Sequence, residues 1–179
     1  MIICVVSDSH GELDNLKNAA VWAKEKEKAE TILHLGDESE DAHVLAPLGL
    51  NIIAIPGVYE AKYQDHAIPN RLIEEYNNWK VLLTHTVTAH ENDLPEDIKP
   101  EELIAQKKVS LILYGHTHIP LIEERNGIIY VNPGHLKKDD KKKYKPSFGI
   151  IKFEENYVEI RLIRLEDKQE FAKYTHSRE

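Results

Sequence analysis

Three apolar runs before residue 56, Ile2–Ser7, Thr31–Leu35 and Asn51–Ile55, are strand-sized, and the segments between them are helix-sized. Leu13–Lys28 carries Leu13, Leu16, Ala19, Ala20 and Ala23 at helical spacing. Glu38–Leu48 reads as a second helix, ended near Pro47 and Gly49. Strand, helix, strand, helix, strand closes compactly in few ways, with right-handed crossovers and parallel strands. In such open sheets ligands collect beyond the carboxyl ends of the strands.

The second half changes character. Arg71–Tyr76 and Trp79–Thr84 flank Asn77-Asn78, a hairpin signal. A polar segment, Thr86–Pro100, leads into a short helix over Glu101–Lys108 and a strand over Ser110–Tyr114. Pro120–Arg125 and Ile128–Val131 flank Asn126-Gly127, the strongest short hairpin signal in the chain. Phe148–Phe153 and Tyr157–Leu165 form a last pair, in which Val158, Ile160 and Leu162 alternate with polar residues. The stretch from Glu166 is polar and reads as a frayed end. The expected organisation is one domain over 1–165 and a polar tail over 166–179. The one charge block, KKDDKKKYK at 137–145, reads as a solvated loop, with a phosphate-attracting basic rim as the functional alternative.

A length of 179 residues suits one domain. The formal net charge of −8 argues weakly against a nucleic-acid partner. It leaves a phosphate-bearing substrate open, because bound cations invert the local field. Cys4 is the only cysteine, which excludes a disulfide framework and fits a reducing compartment. No apolar stretch reaches the length of a membrane span or a secretory core. The expected location is cytoplasmic, without a membrane partner.

The chemistry gathers at the strand ends. Asp8 and His10 follow the first run, Asp37 the second, His85 the Trp79 strand, and His116 and His118 the Ser110 strand. In extended backbone, residues two apart point to one side, so six side chains from four strand ends are expected to meet. A lone strand-end Asp usually caps the next helix; the set as a whole has no such simple reading. Imidazole and carboxylate without thiolate suit divalent Mn, Fe, Zn, Ni or Co, and a carboxylate such as Asp37 can bridge two ions. Two ions ~3.5–4 Å apart serve hydrolysis, most often of phosphate esters. His34 reads as core or as support behind the ligands, whereas His43, His66, His90 and His176 read as surface residues. The third apolar run ends differently, in Pro56-Gly57-Val58-Tyr59-Glu60.

DSH (8–10), GDE (36–38), the lone strand-end His85 and GHTHIP (115–120), in that order, resemble the calcineurin-like metallophosphoesterase superfamily. The similarity is greatest to its small bacterial and archaeal phosphodiesterases. VNPGH (131–135) resembles that group's NPGS segment, and the resemblance covers roughly residues 1–150. It implies an α/β fold, a four-layer αββα sandwich of two mixed sheets flanked by helices. It also implies a first metal on Asp8, His10, Asp37 and His118. A second metal shares Asp37 and takes His85 and His116, and a metal-bridging hydroxide is the nucleophile.

The chain departs from the family pattern in four places. Val58 stands where an asparagine ligates the second metal, and Tyr59 where some relatives have a leaving-group histidine. Thr86 replaces a glycine and His135 a serine. The second ion is therefore expected to bind weakly, its open position left to water, to His135 as ligand or phosphate contact, or to Glu60, whose favoured reading is structural. Tyr59, His90 and His135 are general-acid candidates by location, and Tyr59 and His135 join Asp37 and His85 as expected catalytic residues. The expected function is a metal-dependent phosphoesterase of phosphodiesterase type, acting on a small phosphate ester. The alternative is a catalytically weak or inactive binding or scaffold protein on the same fold. A homo-oligomer is compatible with either.

Overall fold

The computed structural model describes residues 1–178. The amino-terminal half builds β1 (Ile2–Val6), α1 (Leu13–Trp22), β2 (Thr31–His34) and β3 (Asn51–Ala54). The rest adds β4 (Leu72–Tyr76), β5 (Trp79–Leu83), α2 (Pro100–Ala105), β6 (Leu111–Leu113), β7 (Leu121–Arg125), β8 (Ile128–Asn132), β9 (Ser147–Phe153), β10 (Tyr157–Arg164) and β11 (Glu170–Ser177). They form two mixed sheets, ordered β11-β10-β9-β1-β2-β3 and β4-β5-β6-β8-β7. The pairings β1/β2, β2/β3, β5/β6 and β6/β8 are parallel.

Period-two alternation decides which layer each side chain joins. Ile3, Val5 and Leu33 face inward with Trp79, Val81, Leu111 and Phe153 to form the core between the sheets. Cys4, Val6 and Ile32 face the other way, onto Leu16, Ala19, Ala20 and Ala23 of the first helical layer. On the far side, Leu82, Ile112 and Tyr130 pack against Leu103 and Ile104 of α2. The result is helix, sheet, sheet, helix, as expected. Each large side chain wholly buried here contributes about 1.5–3 kcal/mol.

Both asparagine hairpins form. Asn77 and Asn78 have φ of 47° and 68°, and Asn126 and Gly127 have 54° and 80°. Positive φ at both central residues gives the turn twist that suits a two-residue hairpin. The Glu38–Leu48 segment is helical from Ser39 to Leu48 but winds as a tight three-residue-per-turn helix. Pro47 inside it has no N–H to donate to the backbone ladder. The first helix changes at Ala23 into one wide turn through Glu27, closed by left-handed Lys28.

The frayed polar tail is not what the structure shows. Residues 170–177 form β11, the outer strand beside β10. Its Tyr174 and His176 side chains reach Glu124 on β7 of the other sheet. The Arg178 guanidinium then lies 3.6 Å from the centre of the Trp79 ring. A cation over indole contributes about 0.5–1 kcal/mol at an exposed site. The strand alternates half-buried Ala172, Tyr174 and His176 with exposed neighbours, and its polar content hides this period.

Candidate metal centre

The carboxyl ends of β1 and β2 in one sheet meet those of β5 and β6 in the other, and the six strand-end residues come together there. Two groups of ligand atoms form, each with all its atoms within 4.8 Å of one another. One group is Asp8, His10, Asp37 and His118; the other is Asp37, His85 and His116. Asp37 belongs to both and divides its oxygens between them. Oδ2 lies 3.5 Å from His10 Nε2, and Oδ1 lies 3.3 Å from His85 Nε2. His118 Nε2 lies 3.1 Å from Asp8 Oδ1 and 3.3 Å from His10 Nε2.

The backbone route to this convergence is not the extended one. Asp8, His10, Asp37, His116 and His118 have φ of 54°, 47°, 57°, 65° and 60°. Left-handed backbone is uncommon for residues with a side chain, so five of the six candidate ligands sit in it at a cost the surrounding fold must carry. The backbone is also packed tightly there. A Cβ on Gly57 would lie 2.0 Å from Asp37 Oδ1 and 2.6 Å from its N, and one on Gly115 would lie 1.9 Å from Ser7 Oγ.

Two of the four ligand imidazoles, His85 and His118, are held by their far nitrogens. His85 is buried, and its Nδ1 lies 2.7 Å from the Leu35 carbonyl, to which it donates. Its Nε2 is buried without a hydrogen-bond partner, and its lone pair faces the shared space. His118 Nδ1 lies 2.6 Å from Asp140 Oδ2. A histidine that donates from one nitrogen to a carbonyl or carboxylate presents the other to a metal. The orphaned His85 Nε2, the mixed imidazole and carboxylate donors and the absence of thiolate all fit a divalent cation.

Charge is balanced closely within the centre. Burial works against ionising His85 and His118, yet the Asp37 carboxylate raises the first above the usual histidine value and Asp8 and Asp140 raise the second. Burial and neighbouring His85 lower His116. Asp37 is also opposed by burial, but the imidazoles around it hold its carboxyl down to about 2. The carboxylates thus stabilise positive charge at the same point where a cation would sit.

The residues at the departures from the family pattern have clear places. Val58 is buried, and its carbonyl accepts a hydrogen bond from Asn92 Nδ2 at 2.9 Å. Glu60 is not a substitute ligand. Its carboxylate accepts from Gly57 N at 2.6 Å, Ser39 N at 3.1 Å and Ser39 Oγ at 2.7 Å, which braces the turn. His135 is wholly buried, with its ring 5.3 Å from that of His118 and Nε2 donating to the Tyr144 carbonyl. It lies outside both ligand groups and packs behind His118, so the expected substitute-ligand and catalytic roles do not fit its position. Thr86 Oγ1 accepts from Arg71 and donates to the Thr88 carbonyl. Tyr59 is 70% exposed and stands at the mouth, with its ring edge-on to His90 at 5.5 Å. His90 is a half-buried neighbour of His116 and not an isolated surface residue. An open cavity of about 490 Å³ beside the centre is lined by His10, Asp37, Glu38, Glu40, Tyr59 and Lys62, among others.

Two supporting residues, Asp140 and Arg71, carry no signal in the sequence, and a third, His34, takes the supporting place that its position within a strand suggests. Asp140 lies in the charge block. Buried Arg71 reaches Thr84, Thr86 and Asp93, and so ties the 86–99 loop to β5. Buried His34, lowered to about 4 by its burial, donates to Ser9 Oγ, which donates to Asp41. Asp140→Ala should weaken divalent-ion binding by about 10–100-fold, read by calorimetric titration with Mn²⁺; unchanged affinity would remove Asp140 from the centre.

The family model for the calcineurin-like phosphoesterase superfamily domain matches residues 1–156. Phosphodiesterase MJ0936 of Methanocaldococcus jannaschii is 26% identical, over 75% of this chain and 83% of that protein. Among solved structures, the phosphoesterase Yfce from E. coli superposes with a TM-score of 0.70 at 20% identity, covering 97% of this chain and 98% of its own. Vacuolar Protein Sorting 29 from Cryptosporidium parvum does so with a TM-score of 0.72 at 19% identity, covering 99% and 98%. Among the described residues, no helix is long and apolar enough to cross a membrane.

Proposed function

Because the chain belongs to the calcineurin-like phosphoesterase superfamily, we propose that it is a metal-dependent phosphodiesterase acting on a small phosphate ester. The observation that carries this is Asp37, which turns one carboxylate oxygen to each of two ligand groups. Divalent ions held there would neutralise charge on the phosphoryl oxygens and lower the pKa of a water molecule toward neutrality. Asp8, His10 and His118 hold the better-furnished side, and Asp140 fixes the ring of His118. His85 and His116 hold the other side, which lacks a fourth ligand because the Val58 side chain has no ligand atom.

The remaining groups serve the leaving side. His90 Nδ1 accepts from Asn92 N at 3.2 Å, so Nε2 carries the proton in the neutral ring. Its place beside Tyr59 and His116 makes it the group positioned to protonate a leaving oxygen. Tyr59 offers an exposed aromatic face to the departing group.

The test is hydrolysis of bis-p-nitrophenyl phosphate across a Mn²⁺ titration. Saturable activation that chelation reverses is the expected result. No turnover with Mn, Ni, Co or Zn would end the enzymatic reading.

The second reading is a binding or scaffold protein on the same fold, and buried, donor-free Val58 is the observation that favours it. Elemental analysis separates the two: near two ions per chain supports the enzyme, and none supports the binding protein. Val58→Asn should tighten the weaker ion and raise turnover by about tenfold if an added ligand restores roughly 1.4 kcal/mol.

A further inference from the structure

The block at 137–145 holds six lysines in a chain whose net charge is −8. It is not a free-standing solvated loop. Asp140 Oδ2 meets His118 Nδ1 at 2.6 Å, while Asp140 Oδ1 accepts the Lys142 N–H at 2.8 Å and Asp140 O accepts the Lys143 N–H at 3.0 Å. The same carboxylate that orients a candidate metal ligand therefore shapes the turn carrying Lys141, Lys142 and Lys143. Two more ties hold the loop down: His135 Nε2 to the Tyr144 carbonyl at 3.1 Å, and Lys138 N to Glu12 Oε1 at 3.3 Å. Lys145 pairs with Glu166. Lys141, Lys142 and Lys143 are exposed and, among the described residues, have no carboxylate within ion-pair distance.

The other flank of the centre has the opposite sign. The cavity beside His10 and Asp37 is walled by Glu38, Glu40 and Glu60, and its one lysine, Lys62, lies 3.9 Å from Glu40 and 3.6 Å from Glu60. An anionic arm of a substrate is repelled on that flank and attracted on the lysine flank. The acidic flank offers the Tyr59 ring instead, which suits an uncharged aromatic group. Asp140 anchors the turn at His118, and Lys141, Lys142 and Lys143 follow it at ~3.8 Å per residue, so the lysine flank borders the His118 side of the centre.

We propose that the Lys141–Lys143 turn is an anion subsite, and that the preferred substrate is a phosphodiester carrying a further phosphate on one arm. This rests on the phosphodiesterase reading above. Clefts of one sign raise local concentrations of the opposite charge by about tenfold or more, and salt screens the effect over a Debye length of ~10 Å at 0.1 M.

The test compares thymidine 5′-(p-nitrophenyl phosphate) with its 3′-phosphorylated counterpart, which share one scissile ester. The Mn²⁺-loaded protein should prefer the 3′-phosphorylated ester by about tenfold in kcat/KM at low salt, and the preference should shrink as salt rises. The triple variant Lys141→Gln, Lys142→Gln, Lys143→Gln should bring the ratio near one. A wild-type ratio of one, or a ratio the variant leaves unchanged, overturns the subsite. If neither ester turns over, the phosphodiesterase reading fails. The subsite is then decided by equilibrium binding of thymidine 3′,5′-bisphosphate against thymidine 5′-monophosphate to the same two proteins. Equal loss of both affinities in the variant would count against it.

Discussion

Asp37→Asn should abolish Mn²⁺-dependent hydrolysis, by roughly a thousandfold, while leaving the fold intact. The substitution keeps the shape of the side chain and removes its charge. Every other candidate ligand serves one group of donors, but Asp37 serves both, with Oδ2 toward His10 and Oδ1 toward His85. An amide could present one oxygen to one side only. Metal ions supply several kcal/mol of transition-state charge stabilisation, and each 1.36 kcal/mol is a factor of ten, so losing the link between the sides removes at least two or three decades. Steady-state kinetics with elemental analysis checks this, and circular dichroism guards against misfolding. A variant retaining a tenth of the activity and its full metal content would sink the idea of a shared carboxylate.

Gly57→Ala should damage both stability and turnover. The added Cβ would fall 2.0 Å from Asp37 Oδ1, which can swing away, but also 2.6 Å from Asp37 N and 3.0 Å from its Cα, which cannot without moving the β2 end. Overpacking of this kind costs about 1–3 kcal/mol. The larger consequence is geometric, since displacing a reacting group by about 1 Å lowers rates on the order of a hundredfold. Gly149→Ala is the control. There the nearest atom, Val5 Cβ, lies at an ordinary 3.6 Å, and stability should change by no more than about 1 kcal/mol. Thermal melts and kcat on both variants decide it. Equal effects from the two would mean that the crowding at Gly57 is relieved at no cost.

Much of the fold is legible because it is local. The runs from Ile2, Thr31 and Asn51 announce strands by length and apolar content, and Asn126-Gly127 announces its hairpin by the φ values those residues tolerate. The candidate ligands are legible because each follows such a run. What the sequence could not reveal depends on distant partners. Asp140 looks like one more charge among lysines until the fold brings it to His118, 22 residues away in the chain. Arg71 looks like the start of a strand, and only the folded 86–99 loop shows what its guanidinium holds. The β11 strand was obscured for another reason: its inward residues, Ala172, Tyr174 and His176, are weakly apolar, so the period survives while the hydrophobic contrast does not. Even where Asp8 and His10 come together as their spacing suggests, they do so through left-handed backbone and not through strand alternation, while His116 and His118 turn to different groups of donors.

That backbone bears on transplanting the centre into another protein. A designer copying only six side chains onto the strand ends of a new scaffold would place them on extended backbone, where their donor atoms diverge. The portable unit is the set of three kinked main-chain segments, 8–10, 37 and 116–118, which carry the five left-handed residues, with the glycines that make room for them. A graft that omitted those kinks would leave each imported ligand free to relax into its ordinary conformation and would lose the precision that catalytic constellations require.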